Sequence, residues 1–195
     1  LDVVTKSGFT YRNRGSITLG VGSAQRHNVG LELGGRTERV GHYVNVSGFM
    51  SDRFLSPPSP RSIHNEGRGL RSFGRLDFRA TDGNQLKLVV MGDGVNFDLP
   101  LDERDEMLRP QFKNLQRTRS ESVIVSWDSV RSSEAVMQTN FYQRQSTVRQ
   151  FPESIDPYGA QTEADRTLDT FGLKGDLTRL YGRHAVKGGI DLALL

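Results

Sequence analysis

Hydrophobic and polar residues alternate along most of the chain, most clearly across residues 121–149. Val123, Val125 and Trp127 fall on one side of an extended chain, while mostly polar residues fall on the other, with Ile124 as the apolar exception. Successive side chains of a strand point to opposite faces, so this pattern predicts a strand with one apolar face. The alternation resumes after the polar residues 131–134, which predicts a β-hairpin.

The same unit recurs along the sequence and predicts about nine strands. No segment has the pattern of a helix of the usual length, about 11 residues. Asp82 and Gly83 predict a tight hairpin turn that uses positive φ angles. The predicted strands lie within residues 16–21, 28–34, 43–50, 72–80, 85–90, 121–130, 135–149, 171–177 and 186–192.

From the third strand onward, the predicted connections alternate between long and short. The long ones are 51–71, 92–117 and 150–164, and the first is rich in proline, which excludes a central strand there. Since antiparallel neighbours alternate in direction, all long connections emerge at one end of the sheet. Outer-membrane barrels have this asymmetry, with long loops outside and short turns in the periplasm.

The two predicted faces differ in composition. One is aliphatic with scattered aromatic residues, and the other is rich in Arg, Asp, Gln, Asn, Lys and Gly. Alternation of this kind fits a lipid-facing wall around a hydrated lumen, and it also fits a soluble β-sandwich. Alternation and loop asymmetry together favour an all-β, antiparallel meander that forms part of a transmembrane β-barrel.

Composition sets further limits. Charged residues make up 25% of the 195 residues, the net charge is +3, and no basic block with interleaved aromatics suggests nucleic-acid binding. The absence of cysteine excludes disulfides and thiolate metal sites. Since Leu1 and Leu195 both fall within a pattern, we expect the sequence to be a segment of a longer chain that does not fold stably alone.

Few residues are candidates for a metal site, a modification site or a catalytic site. The four histidines, in three predicted connections and one strand, lack metal-ligand spacing. The acidic cluster 98–106 has the oxygen ligands that Ca²⁺ prefers, but a solvated loop explains it better. Asn45 begins a glycosylation-type triplet inside a predicted strand and is discounted. We therefore predict no catalytic, cofactor or metal residues, and no enzyme. The histidines are His27, His42, His64 and His184.

The aromatic residues have two interpretations. Trp127, Phe141 and Phe171 share the apolar face, and Phe141 and Phe171 are predicted to belong to an interfacial girdle. Tyr43 and Tyr142 share the polar face and are better candidates for ligand contact.

Several stretches resemble TonB-dependent outer-membrane receptors of the Oar-like and carbohydrate type. LDVVTKSG resembles the end of the plug domain in that family, and HAVKGG resembles a recurrent strand opening. The similarity continues through GHYVNVSGFMSDRFLSPP, RLDFRATDGNQLKL, NLQRTRSESVIVSWDSV, the Asp156-Pro157 loop and ADRTLDTFGLKGDLTRLYGRHAVKGGIDL.

The resemblance implies a barrel of about 22 strands with an N-terminal plug. Residues 1–13 would be the plug end and residues 14–195 the first barrel strands. It further implies a Gram-negative outer membrane, a small-molecule or oligosaccharide nutrient, outer-membrane lipid and TonB as partners, with no cofactor and no nucleic acid. A structural or adhesive outer-membrane protein remains the alternative, and a soluble β-sandwich binding module is a further one.

Overall fold

The computed structural model describes residues 5–11, 13–56, 64–100, 103–108, 112–152 and 163–195. Within these ranges the chain forms nine β-strands and a six-residue helix, α1. The elements are β1 (Arg14–Gly22), β2 (Arg26–Arg36), β3 (Val40–Ser51), β4 (Gly67–Thr81), β5 (Asn84–Asp98), α1 (Glu103–Leu108), β6 (Asn114–Ser132), β7 (Ala135–Pro152), β8 (Ala164–Tyr181) and β9 (His184–Leu194).

All nine strands form one antiparallel sheet in which each strand pairs with its neighbour in sequence. The all-β meander predicted from the alternation is therefore confirmed. The strands do not close on themselves, because β1 and β9 lie at opposite edges of the sheet. No described helix has the length and apolar character needed to cross a membrane.

The predicted alternation of connections is also present. The end of the sheet that carries the turns 37–39, 82–83, 133–134 and 182–183 is called the turn end. The other end, called the connection end, carries the connections 52–66, 99–113 and 153–163, together with the short turn 23–25.

The turn at Asp82 and Gly83 lies where the sequence predicts it, but the prediction of positive φ angles there is wrong. Among the described residues, positive φ occurs instead at Ala24, Gln25 and Gly182. A register shift between Arg79 and Thr81 lies directly beside the 82–83 turn. This bulge alters the twist of the strand that enters the turn, so the turn closes by a different geometry.

The strands are longer than the alternation predicts. β5 continues to Asp98 and β6 begins at Asn114, so Gly92 and Arg117, predicted to lie in a long connection, lie within strands. β4 likewise begins at Gly67. The row on the apolar face stops in these extensions because its positions become glycine or polar, as at Gly92, Gly94 and Arg117, while backbone pairing with the neighbouring strand continues.

One face of the sheet, called the apolar face, carries rows of exposed hydrophobic side chains. One such row crosses six neighbouring strands in register, and its members are between 37% and 59% exposed. In the described part of the chain nothing covers this row. The row consists of Leu76, Leu88, Val125, Phe141, Leu173 and Leu192.

The apolar rows form a band that ends part-way along the long strands. On β8 the band runs from Leu177 to Phe171, a distance of about 20 Å at ~3.3 Å per residue. Closer to the connection end, the same face carries polar cross-strand pairs between β7 and β8. These are Gln145–Asp169 at 2.8 Å, Thr147–Thr167 at 3.3 Å and Arg149–Asp165 at 2.8 Å.

Candidate functional site on the polar face

The N-terminal segment 5–11 lies against the opposite face of the sheet, called the polar face. Its main anchor is Asp77 of β4, whose side chain is fully buried. The Ser7 hydroxyl donates to the Asp77 carboxylate at 2.5 Å, and Gln85 of β5 donates to it at 3.0 Å. A residue near the start of the chain is thus bonded to the middle of the sheet.

Arg75 lies on the same face of β4, two residues before Asp77, and links the segment to the sheet a second time. Its guanidinium contacts the Asp77 carboxylate at 2.8 Å and donates to the Thr5 carbonyl at 3.0 Å. A buried ion pair of this kind offsets its desolvation only when further hydrogen bonds satisfy it. Ser7, Gln85 and Thr5 supply those bonds.

Glu32 of β2 is the centre of a second cluster on this face. Lys6 forms an ion pair with one carboxylate oxygen at 2.5 Å, and the Tyr43 hydroxyl donates to the same oxygen. The other oxygen accepts hydrogen bonds from Tyr11 at 3.0 Å and Ser16 at 3.3 Å. The hydrogen bond to Glu32 raises the pKa of Lys6 above its ordinary value, which keeps the ammonium charged.

The close packing of segment 5–11 against the sheet depends on glycines, which have no side chain. A Cβ on Gly8 would overlap backbone atoms of Gly35 and His42. A Cβ on Gly41 would lie 2.9 Å from the backbone nitrogen of Phe9, so a side chain there would push the segment away from the sheet. The Phe9 ring also lies 3.8 Å from the guanidinium of Arg79. The segment therefore packs in direct contact with the sheet.

Nearer the connection end, three phenylalanines form an aromatic cluster. The Phe49 and Phe54 rings stack with centroids 5.6 Å apart, and Phe54 lies 5.0 Å from Phe97. A Cβ on Gly67 would overlap Phe54, and one on Gly69 would come within 2.5 Å of Phe49. Two glycines of β4 thus make room for these rings.

The connection that carries Phe54 is held by Asn65. This side chain is 1% exposed, and its amide accepts from the Leu55 nitrogen and donates to the Leu55 carbonyl, both at 2.8 Å. The Phe54 nitrogen donates to the Asn65 carbonyl at 2.9 Å. The described ends of this connection are therefore tied together above the sheet.

A cavity of about 560 Å³ lies between the Glu32 cluster and the aromatic cluster. This volume falls within the range of small-molecule sites, about 300–1,000 Å³. The lining is mostly polar and comes from β1 to β4 and the connection after β3. It includes Ser16, Thr18, Arg26, Asn28, Glu32, Asn45, Ser47, Phe49, Arg53, Phe54 and Arg71.

Positive charge predominates around this cavity. Arg26, Arg53 and Arg71 line it, whereas Glu32 is the one carboxylate in the lining and is already paired with Lys6. All three guanidiniums are on exposed residues, and within the described ranges none forms an ion pair. Arg71 pairs in register with Asp93 of β5, yet the two side chains form no ion pair.

Of the two tyrosines predicted for the polar face, Tyr43 is the more constrained. It is 3% exposed and contacts Tyr11 edge-to-face at 5.1 Å, so it supports the segment instead of lying open to a ligand. Tyr142 lies on the same face of β7, over Gly172, where an added Cβ would overlap its ring. Trp127, Phe141 and Phe171 lie on the apolar face, as the alternation predicts.

The histidines are distributed differently from the prediction. His27, His42 and His184 all lie in strands, and His64 lies in the connection between β3 and β4. Within the part of the chain that the structure describes, no group of three His, Asp or Glu residues could hold a metal ion. In the acidic stretch 98–106, Asp98 is buried, while the side chains of Glu103, Asp105 and Glu106 lie outside the described residues.

The sequence prediction missed the residues that organise this site. Glu32, Arg75 and Asp77 fall on the polar faces of predicted strands, where the alternation indicates no role for them. Their partners Lys6, Thr5 and Ser7 are 26 or 70 residues away in sequence. The available signal was the charge pair spaced two residues apart on β4, which places opposite charges on one face.

A comparison of the sequence with protein-family models finds no match, and a comparison with curated proteins finds none.

Proposed function

We propose that the chain forms part of the wall of a TonB-dependent outer-membrane receptor, which binds a nutrient from outside the cell and imports it. The observation that carries the proposal is the band of exposed hydrophobic rows on one face of the sheet. It is bounded toward the connection end by polar pairs, as expected where a strand leaves the lipid. Its extent of about 20 Å along the strand corresponds to about 15 Å along the membrane normal at a barrel tilt of about 40°, so it fits within the ~25 Å apolar band of outer-membrane barrels.

Strand length supports the same proposal. β4 to β8 contain 15 to 19 residues. A tilted transmembrane strand needs only about 9–11 residues. The excess lies toward the connection end, so these strands would extend beyond the membrane and carry the long connections on the outside.

The edges and the N-terminal segment also fit a receptor wall. Edge strands in lipid need partners, so β1 and β9 would pair with further strands of the same barrel. Segment 5–11, which includes part of the stretch that resembles a plug end, lies on the face that would line the lumen. TonB would act through plug residues that precede this segment.

The test uses the absence of cysteine in the chain. Single cysteines at Val125, Trp127, Gln138 and Asn140 of the complete protein would carry a nitroxide label in outer-membrane vesicles. Labels at Val125 and Trp127 should collide with oxygen dissolved in lipid. Labels at Gln138 and Asn140, on the polar face, should collide with a water-soluble nickel chelate. A soluble sandwich would shield Val125 and Trp127 from both reagents, and that result would reject the membrane wall.

Uptake separates a receptor from an adhesive barrel. Cells that produce the protein should accumulate its ligand only when TonB is present and the membrane is energised. Lipid-exposed labels combined with ligand binding that never leads to TonB-dependent uptake would favour the adhesive alternative.

A further inference from the structure

We infer that the cavity between the Glu32 cluster and the aromatic cluster binds an anionic oligosaccharide built from sugar acids such as uronates. This inference rests on the proposed function and names the class of ligand.

Charge is the first argument. Arg26, Arg53 and Arg71 come from β2, the following connection and β4, and all reach the same cavity. Three like charges around one concavity repel each other, and none of them forms an ion pair with a carboxylate of the described residues. A bound ligand carboxylate would balance this charge, since guanidinium groups bind carboxylates through two parallel hydrogen bonds.

Neutralisation of Glu32 is the second argument. Lys6, Tyr11, Tyr43 and Ser16 occupy both of its carboxylate oxygens. The one acidic group in the lining is therefore engaged by its own partners and competes weakly for the arginines or for a cationic ligand. Asp52 and Asp93 lie nearby in sequence or register but are not part of the lining.

The uncharged lining narrows the class from any anion to a sugar acid. Asn28 and Asn45 offer amide donors and acceptors, and four hydroxyls add groups that both donate and accept, which suits the hydroxyls of a sugar ring. Phe49 and Phe54 supply apolar ring surface against which the C–H face of a sugar can pack. Inorganic phosphate would use the arginines but not these groups.

The cavity also has a defined position. Toward the turn end the cavity is lined by Glu32, which segment 5–11 contacts through Lys6, and toward the connection end it is lined by Phe54. In a receptor of the proposed orientation, a ligand that enters from outside would meet Arg53 and Phe54 at the connection end and then Arg71 further along β4.

The experiment is calorimetric titration of the complete protein in detergent micelles with trigalacturonate, its methyl ester and inorganic phosphate. Trigalacturonate should bind, while the uncharged ester and phosphate should bind at least tenfold more weakly. Arg26→Gln, Arg53→Gln and Arg71→Gln should each weaken binding of trigalacturonate by about tenfold, because each removes a charge-assisted hydrogen bond. The lysine variants, which keep the charge, should recover part of that loss.

Arg144→Gln is the matched control. It lies on the polar face of β7, is exposed and stands outside the cavity lining, so binding should not change. Equal binding of acid and ester, no binding of trigalacturonate, or an equal loss in the control would overturn the inference. If the inference is overturned in this way but the nitroxide labels still report lipid on the apolar face, only the ligand class is wrong, and the receptor proposal stands.

Discussion

At the scale of single residues, Asp77 is the buried carboxylate that holds the N-terminal segment to the sheet. It joins Arg75, Gln85 and Ser7, so one side chain links two strands and the N-terminal segment. Because the carboxylate is fully buried, water cannot reach its partners to replace the hydrogen bonds that it accepts. Loss of one partner from such a pair costs more than the pair contributes, since the remaining charge stays buried without compensation.

Asp77→Ala should therefore destabilise the folded protein by about 3–5 kcal/mol. It should also free segment 5–11, so that trypsin cleaves after Lys6. Urea unfolding in micelles and the rate of that cleavage measure the two effects. Asp169→Ala removes an exposed hydrogen bond on β8 and should change stability by no more than about 0.5 kcal/mol. Equal effects of the two substitutions would contradict the role of Asp77.

A second prediction concerns the contact between Tyr142 and Gly172. Gly172→Ala should cost about 1–3 kcal/mol, because the new methyl group overlaps the tyrosine ring and forces it to move. Gly175→Ala on the same strand is the matched control, since nothing lies within 4 Å of its added Cβ. Unfolding midpoints of the two variants give the comparison, and the expectation is wrong if Gly175→Ala is the more harmful.

At the scale of elements, the sequence predicts where strands lie far better than where they end. The alternation places all nine strands because each carries apolar residues with period two. It fails at Gly92 and Arg117, where the outward residues are glycine or charged and only backbone pairing keeps the chain extended. Periodicity of hydrophobic residues does not detect a strand segment in which glycine or charged residues interrupt the row on the apolar face.

The cavity and the docked segment were less predictable for a related reason. The alternation predicts the polar face, but the contact between Ser7 and Asp77 joins residues that lie 70 positions apart in the sequence. Nothing in local sequence indicates which polar face the first residues will cover. The arginines at the cavity likewise converge only through the register of β2, β3 and β4.

β8 provides an element-scale test, since it bears both the apolar band and the polar pairs on one face. Leu173→Arg should hinder membrane assembly and cost about 2–4 kcal/mol near the bilayer midplane. Thr167→Arg, six residues away on the same face, should cost about 0–1 kcal/mol, as expected near an interface. The yield of folded protein in outer membranes measures the difference, and equal yields would contradict the proposed depth of β8.

At the scale of the whole molecule, the sheet combines an exposed apolar face with two open edges. Among the described residues, the buried hydrophobic side chains are those of Tyr43, Val89 and Phe112. Most of the apolar surface that would stabilise a water-soluble domain thus remains outside. The stability of this sheet depends on its surroundings, which in the proposed function are lipid and neighbouring strands.

A protein comprising residues 14–195 should consequently aggregate in detergent-free buffer, because both the apolar face and the edges favour association. Analytical ultracentrifugation and thermal melting test this directly. A monomer with one sharp unfolding transition would contradict it and would favour a soluble β-domain.

The meander topology has a consequence for how the chain folds. Every strand pairs only with its neighbour in sequence, so no pairing waits for a distant part of the chain. Closing a 15-residue connection costs about 2 kcal/mol more conformational entropy than closing a two-residue turn. The pairs β4–β5, β6–β7 and β8–β9, joined by two-residue turns, should therefore form first. The sheet would then grow by addition of ready-made hairpins, one after another, at rates set by local pairing.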